Sequence, residues 1–128
     1  MAFLLDTNSV IDFALGRSIK LMSRLSAQEQ GTLFLSSISY AELSVGAADG
    51  GKDDFARLEA FTDLVPVLPF DRAAATRYGN IAHQAGFRRH SFDRLIAAHA
   101  LSLGYAVVTS NLSDFHGIPE LDVQNWTV

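Results

Sequence analysis

The chain has 128 residues, 48% of them hydrophobic, with 14 acidic against 10 basic side chains, a formal net charge of −4 and no cysteine. That length suits one compact domain, residues 1–128, and the lack of thiols excludes a disulfide framework or a thiolate site and fits a reducing cytoplasm. The acidic balance argues against holding nucleic acid by global charge, and the short apolar run at the N-terminus, without a basic flank, cannot serve as a signal sequence or span a membrane. A soluble, unprocessed, cytoplasmic protein is expected.

The first strand, Ala2 to Asp6, is apolar without alternation, as suits a strand buried on both faces of a parallel sheet. It ends in Asp6-Thr7-Asn8. In open α/β sheets ligands bind beyond the carboxyl ends of the strands, so Asp6 is a functional candidate, and an Asx turn or helix cap is the competing explanation. Ser9 to Leu15 reads as a short helix stopped by Gly16. Ser18 then caps a second helix whose spacing predicts a buried face of Ile19, Met22 and Leu25, with Lys20, Arg24 and Gln28 toward solvent.

Gly31 ends that helix, and Thr32 to Ser36 follows as a second strand. Ser39-Tyr40-Ala41-Glu42 opens a helix to about Ala48, and its Ser-x-x-Glu spacing predicts a capping box in which Glu42 reaches back to Ser39. The same strand-turn-helix unit also brings Glu42 to the rim that holds Asp6, so both explanations stand at this point. Asp49 to Lys52 reads as a flexible loop and Asp53 to Thr62 as a helix burying Phe55, Leu58 and Phe61, with Asp49, Asp53, Asp54, Glu59 and Asp63 on a solvated face. In the strand Leu64 to Leu68, Pro66 cannot donate to a ladder, which places this strand at the sheet edge.

Asp71 starts a helix to about Ala85 with Tyr78, Ile81 and Ala85 on one stripe, closed by Gly86. Phe87-Arg88-Arg89-His90-Ser91 is the most basic stretch. Phe92 to Leu101 is a helix apolar on most sides, which predicts burial between layers, with Asp93 in its first turn and Gly104 at its end. Tyr105 to Thr109 is a further strand, followed by Ser110-Asn111-Leu112-Ser113-Asp114, and Leu121 to Gln124 is a last strand before Trp126. The alternation of five strands with crossover helices predicts a mostly parallel sheet covered on both faces.

Asp6, Glu42, Asp93 and Asp114 each lie just past a strand or at the start of a helix, so a parallel sheet can gather all four on one rim. Carboxylates so gathered repel, raise one another's pKa and bind hard divalent cations through oxygen, which points to Mg2+ or Mn2+. Neutralising these four would bring the net charge of −4 to zero. No glycine-rich dinucleotide or Walker motif, Gly-x-Ser-x-Gly elbow or His-Glu-x-x-His helix is present, and His83, His90, His99 and His116 lack zinc-ligand spacing. His99 reads as a packed helix residue.

Taken together, Phe3-Leu4-Leu5-Asp6-Thr7-Asn8, Ser39-Tyr40-Ala41-Glu42-Leu43, Asp93-Arg94-Leu95-Ile96-Ala97-Ala98-His99-Ala100 and Val108-Thr109-Ser110-Asn111-Leu112-Ser113-Asp114-Phe115 resemble the PIN-domain ribonucleases, most closely the VapC-type toxins. The tail from Ile118 to Trp126 resembles that family as well. The resemblance implies an α/β, three-layer PIN-like fold whose five-stranded parallel sheet, in the order 3-2-1-4-5, is flanked by helices. It implies a Mg2+- or Mn2+-dependent endoribonuclease, toxin of a type II toxin–antitoxin pair, with RNA as substrate, a small cognate antitoxin protein as partner, a homodimeric state and no membrane attachment. Asp6, Glu42 and Asp93 match the family's three main acidic positions, and the fourth lies open between Asp114 and Asn111. Asp6 and Asp93 would then hold the principal metal and Glu42 and Asp114 an outer shell or second metal, with Thr7, Asn8 and Ser110 orienting ligands or waters. Arg88 and Arg89 are candidates for contact with RNA phosphates, against a plain solvated loop. Competing expectations are a DNA nuclease using the same site, a receiver-like signalling module, disfavoured because Lys20 and Lys52 both lie in the first half, and a non-catalytic binding protein of this fold.

Overall fold

The computed structural model describes residues 1–87 and 90–128, so Arg88 and Arg89 lie outside the described residues. Its order is β1 (Phe3–Leu5), α1 (Thr7–Ala14), α2 (Ile19–Ser26), β2 (Leu33–Ser36), α3 (Ser37–Gly50), α4 (Lys52–Leu64), β3 (Val67–Leu68), α5 (Arg72–Ala85), α6 (Phe92–Leu103), β4 (Ala106–Val108) and β5 (Val123–Gln124), with a 3-10 turn at Leu112–Phe115. All four strand pairings are parallel and the order is β3-β2-β1-β4-β5, as expected. The proline constraint acts as anticipated: Pro66 precedes the edge strand β3, and only its carbonyl is used, accepting from Leu35 N–H at 3.0 Å.

Alternation along β1 separates two cores. Phe3 and Leu5 pack with Val10, Leu21, Leu25, Val65 and Trp126 on one face, and Leu4 packs with Ile81, Ile96, Ala97 and Val107 on the other. A strand buried on both faces requires apolar residues at every position, which is why Phe3-Leu4-Leu5 does not alternate. Helix α6 is the central helix of the second face, buried continuously from Ile96 to Ala100, and small side chains there let it lie close to the sheet. Trp126 closes the first face, edge-on to Phe3 at 4.9 Å, with its indole N–H donated to Gln124 and the Arg24 guanidinium 5.1 Å from its ring centre.

Several local expectations are corrected. In α2 the buried residues are Leu21 and Leu25, while Ile19 is 84% exposed and Met22 also faces outward. This eight-residue helix carries two overlapping apolar stripes, and the one spaced four apart meets the core. Helix α3 begins at Ser37, not Ser39: Ser36, the last residue of β2, is its N-cap and accepts from Ile38 N–H at 3.1 Å. Ser39 is therefore inside the helix and buried, the capping box with Glu42 does not form, and Glu42 stands in the second turn. Asp49 to Lys52 is no loop, because α3 runs to Gly50 and α4 starts at Lys52, with Gly51 at φ 91° making the corner. Phe55 is exposed on α4 and Ala85 on α5, leaving Leu58 and Phe61, and Ala74, Tyr78 and Ile81, to face inward.

Candidate active site

The parallel register aligns the three central strand ends. Leu5 pairs with Leu35 and with Val108, so Asp6, Ser36 and Thr109, each one residue further on, form a row across β1, β2 and β4. By parity these three side chains share the face of Leu4 and Val107, which is covered by α6. All three are buried, with Asp6 only 1% exposed.

Asp6 stands at the strand end and takes up the cap role expected of it. It is the N-cap of α1, accepting from Ser9 N–H at 2.7 Å through Oδ1, while Oδ2 accepts from the Thr109 hydroxyl at 2.5 Å. These bonds answer the cost of burying a carboxylate without removing it: burial pushes the Asp6 carboxyl up, against the lowering pull of Ser9 and Thr109. Thr109 also accepts from Asn111 N–H at 2.9 Å, so one hydroxyl ties Asp6 to the loop that carries Asn111 and Asp114. Sequence reasoning missed Thr109, which the register of β1 with β4 brings to Asp6.

Glu42 is brought in by α3 and accepts from the Thr7 hydroxyl at 2.7 Å, a link across 35 residues of chain. Asp93 lies half-buried in the first turn of α6. Its carboxyl is pushed up to about 6, first by burial and then by Asp114, which also shares a hydrogen bond with it, and by the charges of Asp6 and Glu42. Asp93 thus lies in the field of the other three acids. Asn111 donates to Asp114 at 2.5 Å and accepts from Ser113 at 2.8 Å, so the two residues considered for the fourth position are bonded to each other. Ser110 is exposed and its hydroxyl donates to Asp12 at 3.4 Å; Asn8 is exposed in the first turn of α1. Asp12, a residue not singled out from the sequence, adds negative charge near Asp6 and is paired with Arg17 at 3.3 Å.

Among the described residues no three His, Asp or Glu side chains stand close enough together to enclose a metal ion. The fit to a divalent cation is therefore one of chemistry: the donors are carboxylate oxygens, suited to Mg2+ or Mn2+, and burial together with their repulsion raises Asp93.

The PIN domain family matches residues 3–121. The chain belongs to the PIN-domain family. Within it, the tRNA(fMet)-specific endonuclease VapC of Shigella flexneri is 31% identical over 99% of both chains, and Ribonuclease VapC2 of Haemophilus influenzae is 32% identical over 98% of both. Among solved structures, DNA-bound VapBC from Salmonella typhimurium superposes with a TM-score of 0.88 at 31% identity, covering 98% of each chain. VapBC-1 from nontypeable Haemophilus influenzae gives 0.85 at 32% identity over the whole of both chains. This PIN-domain chain is thus similar to VapC ribonucleases along its full length, including every strand and helix that supports the acidic row.

Proposed function

We propose that this PIN-domain protein is the endoribonuclease toxin of a toxin–antitoxin pair, hydrolysing RNA phosphodiester bonds with the help of Mg2+ or Mn2+. The observation that carries the reading is the full-length similarity to VapC ribonucleases together with the buried Asp6 at the strand ends, where burial and the charges of Asp114, Asp6 and Glu42 push the Asp93 carboxyl up. Asp6 and Asp93 would hold the principal ion, and Glu42 and Asp114 would complete its outer shell or hold a second. Bound there, the ion supplies an activated water at neutral pH and offsets charge on the phosphate.

The chain's own residues then orient and restrain. The Thr109 hydroxyl and the Ser9 amide each occupy one lone pair on Asp6, which fixes the carboxylate plane and leaves its remaining lone pairs for an ion. Thr7 does the same for Glu42 and Asn111 for Asp114. Arg88 and Arg89, which come shortly before Asp93 in the chain, would meet RNA phosphates. The antitoxin is a partner because relatives sharing this chain's whole length are named as VapBC complexes. A homodimer, a single domain over residues 1–128 and a cytoplasmic site of action complete the reading. Among the described residues no helix is long and apolar enough to cross a membrane.

The test is cleavage of single-stranded RNA and of DNA of matched sequence, side by side, with Mg2+, with Mn2+ and with chelator. RNA cut only when metal is present is expected. DNA cut in preference would move the protein to a DNA nuclease, and full activity in chelator would end the metal mechanism.

A further inference from the structure

We propose that His99 is a positioning residue of this site, setting the start of α3, and through it the place of Glu42, by way of the Ser36 hydroxyl. The inference rests on the reading of Glu42 as part of the nuclease site. His99 is buried in α6, the helix that also carries Asp93. Its Nδ1 lies 2.8 Å from Ser36 Oγ, and the ring also bonds the backbone of Pro69. In the proposed tautomer the other ring nitrogen carries the proton toward the Pro69 carbonyl, which can only accept, and Nδ1 offers a lone pair. In it, Ser36 donates its hydroxyl proton to Nδ1. With the proton committed, the Oγ lone pairs point to Ile38 N–H, which they accept at 3.1 Å as the N-cap bond of α3.

One neutral imidazole therefore joins three elements at the strand ends. Phe70 packs edge-on to the ring at 5.5 Å, and its N–H donates to Ser37 at 2.9 Å, so the chain leaving β3 is tied to the same turn. Burial pushes the His99 imidazole down, which favours the neutral ring, against the upward pull of the Asp71 charge. Glu42 follows Ser37 on the same rigid helix, and its bond to Thr7 depends on where that helix begins.

An ordinary core histidine would do none of this selectively, and three variants separate the two cases. His99→Leu keeps bulk and removes the acceptor. His99→Asn places an oxygen where Nδ1 stood. Ser36→Ala removes the relay itself. Turnover on RNA is expected to fall roughly ten- to a hundredfold in His99→Leu and in Ser36→Ala with KM unchanged, the scale of a misplaced group. It should be no lower in the double variant and largely restored in His99→Asn. Amide hydrogen exchange at Ile38 is measured in parallel and needs no activity: protection is lost in His99→Leu and kept in His99→Asn. Wild-type turnover in His99→Leu, or equal impairment and equal exchange in the Leu and Asn variants, overturns the proposal. Should His99→Leu not fold, Ser36→Ala against wild type and His99→Asn decides on the same readouts. A wild type that cleaves no RNA under any metal condition defeats the nuclease reading instead, and the exchange data then decide the relay alone.

Discussion

Thr109 offers a sharp test of how the buried Asp6 is sustained. Thr109→Val keeps the shape and β-branching of the side chain but deletes the hydroxyl that donates to Asp6 Oδ2 at 2.5 Å and accepts from Asn111 N–H. A hydrogen bond to a charged group contributes about 1.5–3 kcal/mol, and here the carboxylate left behind is only 1% exposed, so water cannot replace the missing donor. For a domain of this size that corresponds to a fall in Tm of roughly 5–11 °C. The destabilisation should shrink in an Asp6→Asn background, where the acceptor is neutral, by about 1 kcal/mol of coupling in the double-mutant cycle. Thermal melts of the four proteins in chelator at neutral pH measure it. A change below about 1 °C for Thr109→Val, or the same destabilisation in both backgrounds, would show that Asp6 does not depend on this hydroxyl.

The raised Asp93 makes a pH prediction whose sign follows from linkage. Its folded value of about 6 lies above the ordinary aspartate value of roughly 3.9, so the folded protein binds the proton more tightly and the charge costs stability above pH 6, a cost relieved between about pH 6 and 4. Screening at this half-exposed group cuts the upper bound of about 3 kcal/mol to about 1, and Asp93→Asn should be more stable than wild type by that amount at pH 7 in chelator, with the gap closing by pH 4; a gap that ignores pH refutes it. Added Mg2+ should raise the Tm of wild type more than that of Asp6→Asn, and equal shifts would remove Asp6 from the metal site. Asp6→Asn and Asp93→Asn should each lower turnover far more than the exposed Asp122→Asn, and similar rates for all three would misplace the site. The Arg88→Ala/Arg89→Ala protein should bind RNA more weakly with a shallower salt dependence, by roughly one unit of log–log slope for each phosphate that an arginine no longer neutralises, and an unchanged slope would return both residues to solvent.

The parallel sheet and the edge place of β3 were legible because their causes are local, namely unbroken apolar strands, crossover helices between them and Pro66, whereas the full strand order came from the family resemblance. Helix starts at Ser18 and Asp71 were legible for the same local reason, since each side chain serves an amide three residues on. Failures came where the deciding partner is remote. Leu21 wins over Met22 on α2 because the core shared with Trp126, roughly a hundred residues later, meets that stripe. The Ser-x-x-Glu spacing at Ser39 misled because Ser36 ends a strand and caps a helix at once, and because Glu42 prefers Thr7, which periodicity cannot reveal. Thr109 needed the register between β1 and β4, known only once both strands are paired.

Asp6 shows why the structural and the chemical explanation of a residue at a strand end are not rivals. A carboxylate this deep requires donors, and the first amides of a helix are the donors nearest to hand at a strand-to-helix turn. The cap is thus what makes the buried charge tolerable, and in the proposed function that charge is what would attract a cation. Asparagine satisfies the first demand and fails the second, since its oxygen still accepts from Ser9 N–H while the negative charge is gone. A variant that folds as well as wild type in chelator and yet loses its response to Mg2+ is therefore the result that this geometry requires. One that loses both would mean that the cap needs the charge, and that the two roles cannot be separated at this position.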